Sequence, residues 1–426
     1  MRTADLRSLA LIEPLGDAGI GTYTHELAEA LVGAGIKADV YATESAWSRS
    51  LPRRHRLYPV IGSALFHQRD ILDGPGRALA DPPQAPAVGS AGAIPDSPSL
   101  LGEARSAARS AFLTFELALW LRRRGYDAVW TQWPEIGARF PHFWRSCRRL
   151  GLRLIHTVHN VLPHERGAGD ERRYRAVYDA SDVLLVHSRA AEASLESAFP
   201  DAAAKSLVSW HGTYTTYPRA PEARARLRAQ LGVGDATPLV LFFGGVRPYK
   251  NVDAVLHALR GAPDLDLALL VAGVESGYSG PREADKLART RRLATELGVD
   301  ARVRFLPGPF SFAGTAEIFE AADLVVLPYL ESFGSGQLLL AMTFGRWIAA
   351  TAVGGMDEYL NAYPRGFILR DLAPASLANA LRGLAHAIRA QGDRAFAWDG
   401  GHFSWREIVA ALLPRLRAQL SPSTSA

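Results

Sequence analysis

The feature that most restricts this chain is a repeated order of short apolar runs, glycine-rich or polar turns and helical stretches, read through once in the first half and again in the second. The first series has apolar runs at Leu6–Ile12, Lys37–Ala42, Asp127–Thr131, Leu152–Thr157, Val183–His187 and Ser206–Trp210. A helical pattern opens near Thr22 and runs to about Val32, with Leu27, Ala30 and Leu31 at helix spacing. The second series has runs at Leu239–Phe243, Leu267–Ala272, Val303–Leu306, Leu324–Leu327 and Trp347–Thr351, each followed by a helical segment. Strands separated by helices cannot close hairpins. Each connection must cross a sheet face, which makes the strands parallel and covers both faces.

The two series, with no detectable sequence repeat, in 426 residues exceed one ordinary core. The expectation is α/β: two doubly wound, Rossmann-like domains facing a central cleft. Their expected bounds are 1–215 and 216–404, with 405–426 a last helix returning to the first domain. The stretch Thr213 to Pro238 reads as a linker carrying a short charged helix, and Ala104 to Arg124 as a helix. Around Asp73 to Ser99 the text becomes rich in Pro, Gly and Ala, which predicts a mobile insertion over about 73–103. Ligands of such sheets sit beyond the carboxyl ends of the strands, so the turns there are the place to look for chemistry.

Composition narrows the class. Hydrophobic residues make up 48% and charged residues 21%, a globular balance. One cysteine, Cys147, excludes an intramolecular disulfide; it reads as a semi-buried helix residue, although its arginine neighbours could lower its thiol pKa. A net charge of +5 suits phosphate-bearing ligands or an anionic surface. No recognition module for nucleic acid is present, and no apolar run reaches the ~20 residues of a membrane span. The expected location is cytoplasmic, soluble or peripheral on the inner face of the cell membrane.

The strongest chemical signal is Phe243-Gly244-Gly245-Val246-Arg247-Pro248-Tyr249-Lys250-Asn251, between a strand and a helix. Gly244 and Gly245 let backbone approach a ligand, and Arg247 and Lys250 supply cations for a diphosphate leaving group without a metal. A second signal is Glu331-Ser332-Phe333-Gly334-Ser335-Gly336-Gln337, where Ser335, Gly336 and Gln337 open a helix whose free amides favour an anion; Ser335 also suits an ordinary N-cap. The first turn, Gly16-Asp17-Ala18-Gly19-Ile20-Gly21-Thr22, is not a G-x-G-x-x-G fingerprint but sets Asp17 at the mouth of the first sheet. The exit Val158-His159-Asn160-Val161-Leu162-Pro163-His164-Glu165 offers His159 to a transferred sugar and His164 or Glu165 as a base. Trp133 and Glu135 offer a stacking face and a carboxylate to a saccharide acceptor. Asp264-Leu265-Asp266 precedes a strand and reads as a turn, so no essential metal or other cofactor is expected. The basic and aromatic stretch Arg139 to Arg149 reads equally as a membrane-resting face or as a packed helix with a solvated side.

These motifs resemble GT-B glycosyltransferases of family 4: Gly244 to Asn251, Leu327-Pro328-Tyr329, Ala341-Met342 with Gly345, and Gly19-Ile20-Gly21-Thr22-Tyr23. They are more closely similar to β-mannosyltransferases of xanthan-type exopolysaccharide assembly through Trp133-Pro134-Glu135, His159-Asn160, Pro163-His164-Glu165, Arg247-Pro248-Tyr249-Lys250 and Ser335-Gly336. The resemblance implies a nucleotide sugar bound by the C-terminal domain, with Arg247 and Lys250 on its diphosphate and Gly19, Gly21 and Glu331 among its contacts. It implies an acceptor, often a lipid-linked oligosaccharide, on the N-terminal domain, with Trp133 and Asn160 as contacts. Two glutamates that the family carries eight positions apart fall on Ser332 and Leu340 here, with Glu331 displaced by one. That favours an inverting enzyme with its base among Asp17, Glu135, His164 and Glu165. By resemblance the donor is GDP-mannose. A UDP-sugar-dependent hexosyltransferase and a non-catalytic nucleotide-sugar-binding protein are the alternatives; a dehydrogenase lacks its fingerprint in both halves.

Overall fold

The computed structural model describes residues 6–14, 18–43, 51–61, 115–133, 140–163, 167, 169–274, 284–391, 396, 398 and 400–421. The insertion expected over 73–103 lies outside them, as do Asp17, Glu135, His164 and Glu165. The chain forms two compact units, Met1–His211 with Trp405–Ala426, and Gly212–Ser404.

The first unit holds β1 (Ser8–Glu13), β2 (Lys37–Thr43), β3 (Arg56–Ile61), β4 (Ala128–Thr131), β5 (Arg153–Thr157), β6 (Val183–Val186) and β7 (Ser206–Val208). They form one parallel sheet in the order β3-β2-β1-β4-β5-β6-β7. One face carries the helices Ala18–Gly33 and Trp405–Leu420. Their Leu27, Ala28, Leu31, Val409, Leu412 and Leu416 pack with Leu9, Leu11, Trp130 and Ile155 of the sheet. The first helix opens at Ala18, not near Thr22, so Gly19 and Gly21 stand inside its first turn rather than in a loop. β3 has no counterpart in the sequence reading. It is an edge strand containing Pro59, which weakens the alternation that marks a strand.

The arginine-rich helix Phe140–Arg149 buries Phe143 and Trp144 and exposes Arg145, Arg148 and Arg149. Its described aromatic rings therefore belong to the core, and Arg148 pairs with Asp182 at 2.8 Å. Burial pushes the Cys147 thiol above its usual range, the reverse of an activated thiolate.

The second unit holds β8 (Leu239–Phe243), β9 (Ala268–Val274), β10 (Val303–Gly308), β11 (Leu324–Leu327), β12 (Trp347–Thr351) and β13 (Gly366–Leu369). They are parallel, in the order β10-β9-β8-β11-β12-β13. β13, a four-residue edge strand opening on Gly366, is too short to mark itself in the sequence. The stretch read as a linker contains the helix Ala223–Gln230, which the sheet holds by charge. Arg228 is fully buried and donates to Asp323 Oδ2 at 3.1 Å and to the carbonyls of Ala321 at 3.0 Å and Gly234 at 2.7 Å, while Arg224 meets Asp323 at 2.6 Å. Asp264 and Asp266 pair with Arg382 at 3.1 Å and Arg389 at 2.6 Å. Among the described residues no helix is long and apolar enough to cross a membrane.

Candidate functional site

In the second unit the chain order reverses between β8 and β11, which are hydrogen-bonded neighbours. Connections leave these two strands toward opposite sides, and a crevice opens where they part. Both signal segments of the sequence emerge there. Gly244 follows β8 with φ 94°, a conformation open to glycine, and its N–H donates to Ala272 O at 2.8 Å. A Cβ on Gly244 would stand 3.2 Å from Lys250 Nζ and 3.2 Å from Gln337 Nε2. Two nitrogen donors from different loops therefore converge over one bare backbone position.

The geometry around Gly244 comes from short-range structure. A 3-10 turn, Pro248–Lys250, starts from extended Arg247 and ends at Asn251, which takes φ 51°; it folds Lys250 inward to 6% exposure. Lys250 Nζ lies 5.8 Å from the centre of the Tyr329 ring, a cation–π contact. Leu330 N–H donates to Tyr249 O at 2.7 Å, which ties the two signal loops together. Ser335 caps the helix Gly336–Thr343, its Oγ accepting from Leu338 N at 3.3 Å. Arg247 and Gly245 lie on the same loop as Lys250, with Arg247 half-buried, whereas Glu331 is exposed. The arrangement joins a buried ammonium, a carboxamide, a bare glycine and a helix N-terminus, all suited to anionic oxygens.

Three further residues of this region carry no site role in the sequence reading, although Tyr329 belongs to the Leu327-Pro328-Tyr329 motif. The Tyr214 hydroxyl stands 3.0 Å from where a Cβ on Gly336 would lie. Tyr329 packs beneath Lys250, and Thr351 Oγ1 donates to its carbonyl at 2.7 Å. Gly354, with φ 62°, lies so close to the Ser332 carbonyl that a Cβ would come within 2.2 Å of it. The last had a legible signal: Gly354-Gly355 follows a buried strand much as Gly244-Gly245 does. The aromatic contacts had none, because they are made between distant segments.

In the first unit the order reverses between β1 and β4. Gly19 is exposed and Gly21 buried at the start of the helix above that edge. Trp133 and Asn160 are half-buried at the exits of β4 and β5. Asn160 O accepts from Tyr178 Oη at 3.3 Å. His159 is drawn into a cluster of rings that meet edge to face or tilted, 4.8 Å from Tyr23 and 5.2 Å from His187 between centroids. His211 and Trp405 complete the cluster, at 4.9 Å and 5.1 Å from Tyr23. Burial, then the neighbouring His187, His211 and His156, hold the His159 imidazole well below its usual pKa. Burial lowers His187 to about 4, although its Nδ1–H donates to Ser209 O at 2.9 Å. The His159 and His187 imidazoles are neutral at neutral pH and can exchange hydrogen bonds without adding charge. Among the described residues no group of three or more His, Cys, Asp or Glu is placed to hold a metal ion.

The chain matches known families over both units. The family described as glycosyl transferases group 1 matches residues 223–387, and the glycosyl transferase 4-like domain matches residues 18–204. A D-inositol 3-phosphate glycosyltransferase of Mycobacterium avium (strain 104) is 33% identical over 296 residues, covering 66% of this chain and 68% of that protein. Proteins of the same description from Mycolicibacterium paratuberculosis and Mycobacterium ulcerans are 33% and 32% identical and cover 66% of this chain. The chain spans 65% and 62% of their lengths, slightly under two thirds. Among solved structures, sucrose-phosphate synthase from Thermosynechococcus elongatus superposes with a TM-score of 0.66 at 21% identity, covering 97% of this chain and 99% of that one. Anabaena HepE in complex with UDP superposes with a TM-score of 0.61 at 18% identity, covering 96% and 100%. At such identities the likeness shows the fold: two parallel, Rossmann-like sheets of the GT-B class.

Proposed function

Because the chain belongs to the group 1 glycosyl transferases, we propose that it moves a hexose from a nucleotide diphosphate sugar, GDP-mannose, to a lipid-linked saccharide acceptor in exopolysaccharide or glycoconjugate synthesis. The observation that carries the reading is the convergence of Lys250 Nζ and Gln337 Nε2 over Gly244 at the carboxyl edge of the second sheet. In the reaction the acceptor oxygen bonds to the anomeric carbon while the bond from that carbon to the phosphate oxygen breaks. The nucleoside diphosphate leaves with the electron pair, and the acceptor's proton passes to a base. Lys250, with Arg247 on the same loop, offsets the charge that grows on the leaving diphosphate. The amides of the helix Gly336–Thr343 add fixed partial charge in the same sense.

GDP-mannose is supported by the likeness of Arg247-Pro248-Tyr249-Lys250 and Ser335-Gly336 to mannosyltransferase motifs. A UDP-sugar is the second reading, favoured by the structural likeness to HepE in complex with UDP. An acceptor carrying an inositol phosphate fits the description of the relatives from Mycobacterium and Mycolicibacterium.

Titration with GDP-mannose, GDP, UDP-glucose, UDP and NAD tests the reading. Wild type should bind the GDP compounds most tightly. Lys250→Ala should lose about 1.5–3 kcal/mol of donor affinity, the worth of a charge-assisted hydrogen bond, with its fold intact. Binding of NAD alone, or donor affinity unchanged in Lys250→Ala, refutes the proposal.

A further inference from the structure

Gln132 is the first residue beyond β4, at the point where the strand order of the first unit reverses. Its backbone N–H donates to Ile12 O at 3.0 Å, so the position is fixed by the sheet. Its side chain is fully buried, and among the described residues neither Oε1 nor Nε2 meets a hydrogen-bond partner. Strand alternation puts it on the face of Trp130, which packs in the core with Tyr23 and Leu27 of the helix Ala18–Gly33. That helix has glycines at two of its first four positions, Gly19 and Gly21. At the exit of the neighbouring strand β5, His159 Nε2 is likewise buried and, among the described residues, without a hydrogen-bond partner.

A carboxamide with both ends bare is a poor choice for a structural position. A methionine of similar volume would fill the space without leaving a donor and an acceptor unmet. Such a group is retained where a ligand supplies the missing partners. We infer that Gln132 is a specificity-determining residue for the acceptor, reading a pair of adjacent hydroxyls on an uncharged polyol or sugar ring. A vicinal diol fits because one hydroxyl can donate to Oε1 while the oxygen of the other accepts from Nε2. His159 Nε2, neutral and bare, is the second contact for the same ring. This inference rests on the reading of the chain as a glycosyl transferase and assigns the acceptor contact within the first unit alone.

The test uses this whole chain with methyl α-D-mannoside and myo-inositol as probes, titrated without donor. At least one should bind wild type. Gln132→Met should keep or raise the melting temperature while weakening that probe roughly tenfold or more, about 1.4 kcal/mol. Gln132→Glu keeps the shape and an acceptor atom but loses the amide donor, and should weaken it by a smaller factor. Nucleotide-sugar affinity should stay within about twofold in both variants. The inference is overturned if no probe binds wild type, if either variant binds as tightly as wild type, or if Gln132→Met fails to fold or melts well below it. Donor titration of the same samples reports separately on the transferase reading, so the two fail independently.

Discussion

The two sheets present their reversal points in opposite chemical states. In the second unit the crevice beside β8 and β11 is lined by a buried ammonium, a carboxamide and close-packed backbone, with Lys250 and Gln337 over Gly244. In the first unit the edge beside β1, β4 and β5 is lined by neutral imidazoles and the carboxamide of Gln132, which has no partner among the described residues. One parallel architecture thus makes two sites of different polarity, because polarity is set by the few residues just past each strand. A charged edge suits a diphosphate, and a neutral, hydrogen-bonding edge suits a polyhydroxylated ring.

Acid should break this symmetry most strongly. Burial holds His156 at about 3 and His187 at about 4, below the ~6.5 of an unfolded histidine. His25 is lowered to about 3 by burial and by the neighbouring His55. Between those values and 6.5 the unfolded chain binds more protons than the folded one. The stability is therefore complete above about pH 6.5 and falls as pH drops, by up to about 1.4 kcal/mol per pH unit for each histidine. Hydrogen exchange at pH 4.5 should show β5 and β6 losing protection before β8 and β11, and His187→Asn should flatten the pH slope by about one proton. Equal loss in both units would erase the contrast.

Backbone strain offers a sharper probe of the second unit. Gly354→Ala must place a methyl 2.2 Å from the Ser332 carbonyl at a φ of 62°. A cost of about 1–3 kcal/mol is expected, with a lower melting temperature and weaker donor binding as the 332–335 loop is displaced. Unchanged melting would show that the loop is not held there. The smallest effect should come from Ser335→Ala, which removes the cap on Leu338 N at about 1 kcal/mol. A few-fold loss of donor affinity alongside it marks Ser335 as a donor contact, whereas melting loss alone marks it as a cap only.

Much of the crevice beside β8 and β11 was legible because each of its two segments is continuous in sequence and directly follows a strand. Gly244, Lys250, Ser335, Gly336 and Gln337 follow strands recognisable from apolar runs, and turn chemistry does the rest. The first unit was read less well. The opening helix begins four residues earlier than its periodicity suggested, because glycines blur a helix start. The basic and aromatic stretch around Cys147 left open whether Phe143 and Trp144 face inward, since an amphipathic helix does not say which neighbour covers it.

The sequence by itself determined the order of strands and helices, hence two parallel sheets, and the chemistry available at each strand exit. Only the tertiary structure decided which of those groups meet. The approach of Gln337 to Lys250 spans 87 positions along the chain. The gathering of His159, His187 and His211 around Tyr23 depends on strand order, which local patterning does not encode. Local propensity acts over a turn or two, whereas burial and contact are set by how the whole sheet is assembled.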